Sequence, residues 1–275
     1  MRFIREMEIR NYSPRTISCY VSMLANAAKY FHLSPDKLTT EQIKNYLQYC
    51  TKERGLSVST INQTINAFRI LFQDVLGKDW EKIRIKRPRK NRHLPDILSR
   101  EEIANMLRLT NNPKHKVIIA VLYSSGVRRE ELLNLKIRDI DSDRMLIRVR
   151  NGKGNKSRDT LLAQNTLELL REYYRLYHPS EYLFESYRPG VAYSATSVEK
   201  VVQRAVQRAN ITKHIYPHSL RHTFATHLLE QGANLKVIQK LLGHASLRST
   251  MIYLHLARTD YNNVKSPIDH IMETT

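Results

Sequence analysis

Apolar side chains recur along the N-terminal part of this chain with the period of a helix. Ile17, Val21, Leu24, Ala28 and Phe31 fall at spacings of four, three, four and three, which places them on one face. Ser13-Pro14 just ahead of them offers an N-cap and a first-turn proline, so a helix is expected to begin there. A second helix is expected from Thr40 to about Cys50. A third starts near Ser59, carries Ile61, Ile65, Phe68, Phe72 and Val75 inward, and stops at Gly77. No strand-like alternation precedes residue 85, so residues 1–81 read as an all-α unit.

The pattern then breaks. Lys82, Arg84, Lys86, Arg87, Arg89, Lys90 and Arg92 surround Pro88 with no acid among them, which predicts a basic linker over 82–98 rather than an element. Cations in such a strap can displace counterions condensed on phosphates, so Lys86, Arg87, Arg89, Lys90 and Arg92 are candidate DNA-binding residues. Ser99 with Glu102 forms a capping box for a helix carrying Ile103, Met106 and Leu107. Lys116 to Tyr123 reads as a buried helix punctuated by Ser125-Gly126. Met145 to Arg150, then Asn151-Gly152, then Asp159 to Leu162 reads as strand, turn and strand. Helices are expected at 165–177, 197–209, 218–230, 234–242 and 247–256. The fold class is therefore mainly α with a small antiparallel β-sheet in a C-terminal domain spanning 99–258, followed by an arm over 259–275.

Charge narrows the function. The 275 residues carry a net charge of +19, and self-repulsion of that size points to a polyanionic partner, most simply nucleic acid. Hydrophobic residues at 41% suffice for real cores. The longest apolar run, Val117 to Tyr123, is far short of a membrane span, and the first residues lack the apolar stretch of a secretory signal. Cys19 and Cys50 are too few and too far apart for a disulfide framework or a zinc site, which fits a reducing cytoplasm.

Cleaving a DNA phosphodiester without a metal requires fixed cations at the non-bridging oxygens, a proton donor for the leaving 5′ oxygen and a relieved nucleophile. Arginine suits the first task through its planar two-point fork. His218 and Arg221 stand three apart on one helix face, and Tyr253 follows His244 by nine residues. Taken singly, these residues read as surface, capping or core positions.

Together they read differently. Tyr123-Ser124-Ser125-Gly126-Val127-Arg128-Arg129-Glu130-Glu131-Leu132, then Gly152-Lys153-Gly154-Asn155-Lys156-Ser157-Arg158, then Pro217-His218-Ser219-Leu220-Arg221-His222, then Leu242-Gly243-His244 and Tyr253 closely resemble the tyrosine recombinase (phage-integrase) family over about 95–258. The resemblance implies a two-domain, C-shaped clamp on duplex DNA, with an N-terminal core-binding domain of SAM-like helical type. It implies that Arg128 and Arg221 clamp the scissile phosphate, Lys153 protonates the 5′ oxygen, His218 assists proton transfer from tyrosine, and His244 adds a bond to the phosphate. Tyr253 then attacks to give a 3′-phosphotyrosyl link, and Glu131 orients Arg128. No metal or other cofactor is implied. The implied partners are duplex recombination sites and a homotetramer that works through a Holliday junction, with the arm docking on a neighbouring protomer.

Arg129 departs from the motif, where a smaller or apolar residue is expected. Ser266-Pro267-Ile268-Asp269 resembles the end of integron-type integrases, whereas 171–198 is too short for that subgroup's inserted element, which leaves an Xer-like or transposon-type integrase. Three rivals stand beside this reading. One is a helix-turn-helix regulator built on Ala233 to His255. Another is a metal-dependent nuclease on His214, His218, His222 and His227, in which His222 and His227 otherwise read as packed or capping residues. The third is a type IB topoisomerase using a similar residue set.

Overall fold

The computed structural model describes residues 2–80, 85–88, 94–150 and 157–257. They divide into two compact units, Met1–His93 and Leu94–Thr275. In the first, α1 (Arg2–Ile9) precedes α2 (Pro14–Phe31), α3 (Thr40–Lys52) and α4 (Val58–Arg69). Hydroxyls fix three of these starts: Ser13, Thr39 and Ser57 each accept from a backbone N–H in the first turn of the helix, on Thr16, Gln42 and Thr60, at 3.2 Å. Beyond α4 the chain widens into a π-type turn, Ile70–Val75, closed by Gly77 at φ +64°. The apolar faces meet in one core containing Leu24, Ile43, Leu47, Ile61, Ile65 and Phe68. Helix α1 was not legible as an element, because its eight residues are too few to display a repeat and bury only Met7.

The second unit contains α5 (Arg100–Arg108), α6 (Pro113–Ser125), α7 (Arg129–Asn134), β1 (Ile140–Asp141), β2 (Leu146–Val149), β3 (Arg158–Leu161), α8 (Gln164–Tyr177), α9 (Ala195–Arg208), α10 (Pro217–Glu230) and α11 (Leu235–Leu242). The Ser99–Glu102 capping box forms in both directions, at 2.6 and 3.1 Å. Helix α6 packs against α8, α9 and α10 and is buried without a break from Val117 to Leu122, which explains its continuous apolar run. The sheet is antiparallel in the order β1-β2-β3, with Ile140 opposite Ile147 and Val149 opposite Arg158. That register puts Arg158 at the start of β3, beside α11.

The helix expected over 247–256 is absent. Two short 3-10 turns, Leu247–Ser249 and Met251–His255, take its place. Side-chain hydroxyls compete with an α-helical backbone here: Ser246 Oγ accepts from Arg248 N at 3.3 Å, and buried Thr250 pairs with His244.

Candidate active site

Three elements of the second unit converge on one buried carboxylate, that of Glu131. Arg128, immediately before α7, donates its backbone N–H to Glu131 Oε2 at 2.7 Å and its guanidinium to Oε1 at 2.6 Å. Arg158 grips both oxygens of the same group, at 2.7 and 2.8 Å, and its Nε donates to the Leu241 carbonyl at 2.8 Å. Arg221, from α10, approaches Glu131 at 3.8 Å. Burial alone would raise the Glu131 carboxyl, but the bonds from Arg158 and Arg128 outweigh it and hold the group at about 2. One carboxylate thus serves three guanidiniums, which leaves the cluster strongly cationic and suited to an anion.

Arg221 is 0% exposed. Its terminal nitrogens donate to the carbonyls of Gly126 and Leu242, each at 2.6 Å, while Nε has no partner. Gly126 is required for this arrangement: its φ is +60°, and a Cβ there would stand 2.3 Å from the Phe224 ring. Burial, then the nearby charge of Arg128, pushes the Arg221 guanidinium down to about 9, which still leaves it charged at neutral pH.

Helix α11 ends at Gly243, φ +62°, whose carbonyl accepts from Arg128 at 3.3 Å. The chain turns there to present His244, whose Nδ1 lies 2.9 Å from Thr250 Oγ1 and whose ring lies nearly parallel to that of Tyr253 at 6.4 Å. Tyr253 is 1% exposed, and its hydroxyl lies 3.1 Å from His222 Nδ1. Burial pushes the phenol up to about 12, against the opposing pull of Arg221 and Arg128. His222 stands edge-on to His218 at 4.5 Å. Burial pushes both His222 and His244 down to about 4, with neighbouring cationic groups adding to it. His218 keeps one side open to solvent, yet the protein crowding its other side, then Arg221 and Arg128, lowers it as well.

Of the residues singled out in the sequence, Arg128, Glu131, His218, Arg221, His244 and Tyr253 are brought together. Lys153 lies outside the described residues, as do Arg89, Lys90, Arg92 and the arm 259–275. Lys86 and Arg87 are exposed, and Arg87 donates to Asn66 Oδ1 at 2.7 Å. Tyr253 sits on a 3-10 turn rather than on the expected helix. Arg129 is bound by Glu130 and Glu199 on the flank of the site. Two residues were missed. Arg158 closes the quoted glycine–lysine motif, but only the sheet register reveals that it faces Glu131. His222, read as packed or capping, packs edge-on against His218, and its Nδ1 also meets the Tyr253 hydroxyl. His227 does pack, against Tyr123, with its Nδ1 3.0 Å from the phenol oxygen. Among the described residues no three His, Cys, Asp or Glu side chains group to hold a metal, and no helix is long and apolar enough to cross a membrane.

The comparisons with known proteins agree with this geometry. Residues 96–260 match the phage integrase family, and residues 1–82 match the phage integrase N-terminal SAM-like domain. A tyrosine recombinase of Thermosipho africanus is 32% identical, with 90% of this chain and 91% of that protein covered. Tyrosine recombinase XerC of Lactobacillus leichmannii is also 32% identical, with 90% of each covered. The crystal structure of the XerH site-specific recombinase bound to a palindromic difH substrate, a post-cleavage complex, superposes with a TM-score of 0.72 at 26% identity, covering 90% of this chain and 78% of that one. The chain belongs to the phage integrase family of tyrosine recombinases, enzymes of site-specific DNA recombination.

Proposed function

We propose that this chain cleaves and rejoins duplex DNA by attack of the Tyr253 hydroxyl on a phosphodiester. The Tyr253 oxygen–phosphorus bond forms as the bond to the 5′ oxygen breaks, which leaves a 3′-phosphotyrosyl link and a free 5′ hydroxyl. One observation carries this reading. Arg128 and Arg221 share Glu131 and both donate to the backbone of residues 242–243, one step from the His244 ring that stacks on Tyr253.

Negative charge that grows on the non-bridging oxygens is met by Arg128, whose side chain keeps a solvent-facing side, and by the buried positive charge of Arg221 behind it. His244 adds a further bond there. A phenol at about 12 keeps its proton until attack, and by resemblance His218 assists its departure. Lys153, by resemblance, supplies the proton to the 5′ oxygen. One phosphodiester is exchanged for another of similar energy, so rejoining needs no ATP, and the guanidiniums supply the charge that a metal would otherwise bring.

Strand exchange between two duplexes proceeds through a Holliday junction in a tetramer, with the arm 259–275 docking on a neighbouring protomer and the basic linker 82–98 following phosphates. The phage integrase match over both parts of the chain supports that assembly. The two free cysteines suit a reducing cytoplasm.

The test begins with a duplex selected from random sequence by binding to the protein. A nicked version of it, incubated with EDTA and without ATP, is expected to yield a protein–DNA adduct that survives denaturation, and two intact copies are expected to yield Holliday junctions. Cleavage that stops in EDTA and leaves no adduct overturns the proposal.

A further inference from the structure

The Tyr253 hydroxyl needs a fixed direction as well as a leaving proton, and its own backbone supplies little rigidity. It sits on a five-residue 3-10 turn, a geometry with weaker hydrogen bonds than an α-helix. Its ring is held from two sides by imidazoles, His244 lying nearly parallel at 6.4 Å and His222 tilted at 5.7 Å. The polar contact of the hydroxyl is His222 Nδ1, at 3.1 Å. His222 follows Arg221 on α10 and lies one turn from His218, against which it packs edge-on. The helix that supplies the phosphate clamp therefore also reaches the nucleophile.

We propose that His222 is a positioning residue for the reaction: a neutral imidazole whose Nδ1 accepts the hydrogen bond that aims the Tyr253 oxygen. This rests on the reading of Tyr253 as the nucleophile. His222 acts here as the ground-state acceptor that aims the oxygen rather than as the base: as the oxygen attacks, the phenol proton leaves this bond and departs by the route that His218 assists. Burial raises the phenol to about 12 and lowers the imidazole to about 4, so the proton rests on the phenol oxygen in the uncomplexed site. With Nδ1 accepting, the ring proton resides on Nε2, and a replacement side chain works only if it offers an acceptor at the δ position. Asparagine does so; glutamine carries its amide one bond further out.

The experiment is single-turnover cleavage of the nicked duplex by full-length His222→Asn, His222→Gln and His222→Phe, with DNA affinity and melting temperature measured alongside and Tyr253→Phe as control. His222→Phe is expected to bind DNA normally and cleave on the order of 10- to 100-fold more slowly, as a misaimed nucleophile does. His222→Asn should recover most of that loss and His222→Gln little of it. A substrate with sulfur in place of the 5′ leaving oxygen, which departs without protonation, should leave the His222→Phe defect in place.

Wild-type cleavage by His222→Phe overturns the proposal, as does rescue by the sulfur substrate, which assigns His222 to the leaving group. Equal loss in the Asn and Gln variants with lowered melting makes the residue merely structural and also overturns it. If Phe does not fold, the Asn-over-Gln order still decides. An adduct from Tyr253→Phe is a separate failure, that of the nucleophile assignment itself.

Discussion

Glu131 and Arg158 meet as a two-point fork at 2.7 and 2.8 Å, and this pair joins the first residue of β3 to the start of α7. Both side chains are nearly closed to solvent, so the pairing fixes the carboxylate against which Arg128 and Arg221 are set. Arg158 also holds the Leu241 carbonyl, which ties the end of α11 to the same point. The strand thus acts on the site through Glu131, and its consequences can be measured.

Arg158→Lys keeps the charge but loses the fork. A lysine ammonium cannot bond both oxygens in one plane, so the variant should lose about 2 kcal/mol of stability in urea denaturation. Its cleavage rate should fall with DNA affinity largely retained. Unchanged stability and rate would show that Arg158 leaves Glu131 undisturbed.

Acid should weaken the fold in two stages. His222 and His244 stand near 4 in the folded chain against an ordinary value of 6.5, so the unfolded chain binds more protons and stability falls as pH drops from about 6.5 toward 4. Glu131, held near 2 against 4.5, contributes stability above its unfolded value that is lost as pH falls from about 4.5 toward 2. Urea midpoints across this range should show both declines. His222→Asn should flatten the first and Glu131→Gln the second; a variant curve parallel to the wild type in its own window contradicts the assignment.

Gly126→Ala should damage the fold and the site together. Its left-handed backbone disfavours a side chain, and a Cβ would collide with Phe224 at 2.3 Å. Strain and overpacking together should cost about 2–4 kcal/mol. Because the Gly126 carbonyl anchors Arg221, cleavage should also fall at temperatures where the variant remains folded. Gly190, with φ +72° and open space where a Cβ would stand, provides the contrast: alanine there brings the backbone strain without the collision or the loss of activity.

Neutralising Lys86, Arg87, Arg89 and Lys90 together should weaken DNA binding and flatten its salt dependence. If all four meet phosphates, the slope of log affinity against log salt should shrink by about 3 to 4. An unchanged slope makes the segment a spacer.

The sequence disclosed elements with a long repeat or a chemical cap most readily. The stripe from Ile17 to Phe31 and the Ser99–Glu102 box are both where they were expected. Short elements carried too little pattern: α1 has eight residues and β1 only two. The turn at 247–256 was misread because apolar spacing cannot register the competition from Ser246 and Thr250 hydroxyls. Residues that the fold gathers into one cluster were legible when a motif named them, as with Arg128, His218, Arg221, His244 and Tyr253. Arg158 and His222 were not, because their meaning lies in pairings across the fold, 27 and 31 residues from their partners.

The most direct measurement is identification of the residue bonded to DNA. The adduct formed on the nicked duplex is digested with protease and nuclease and the remaining peptide is sequenced by mass spectrometry, in parallel with Tyr253→Phe. The account predicts a nucleotide mass on Tyr253 and no adduct from the variant, which should still bind the duplex. A nucleotide on any other residue, or an adduct formed by Tyr253→Phe, contradicts it.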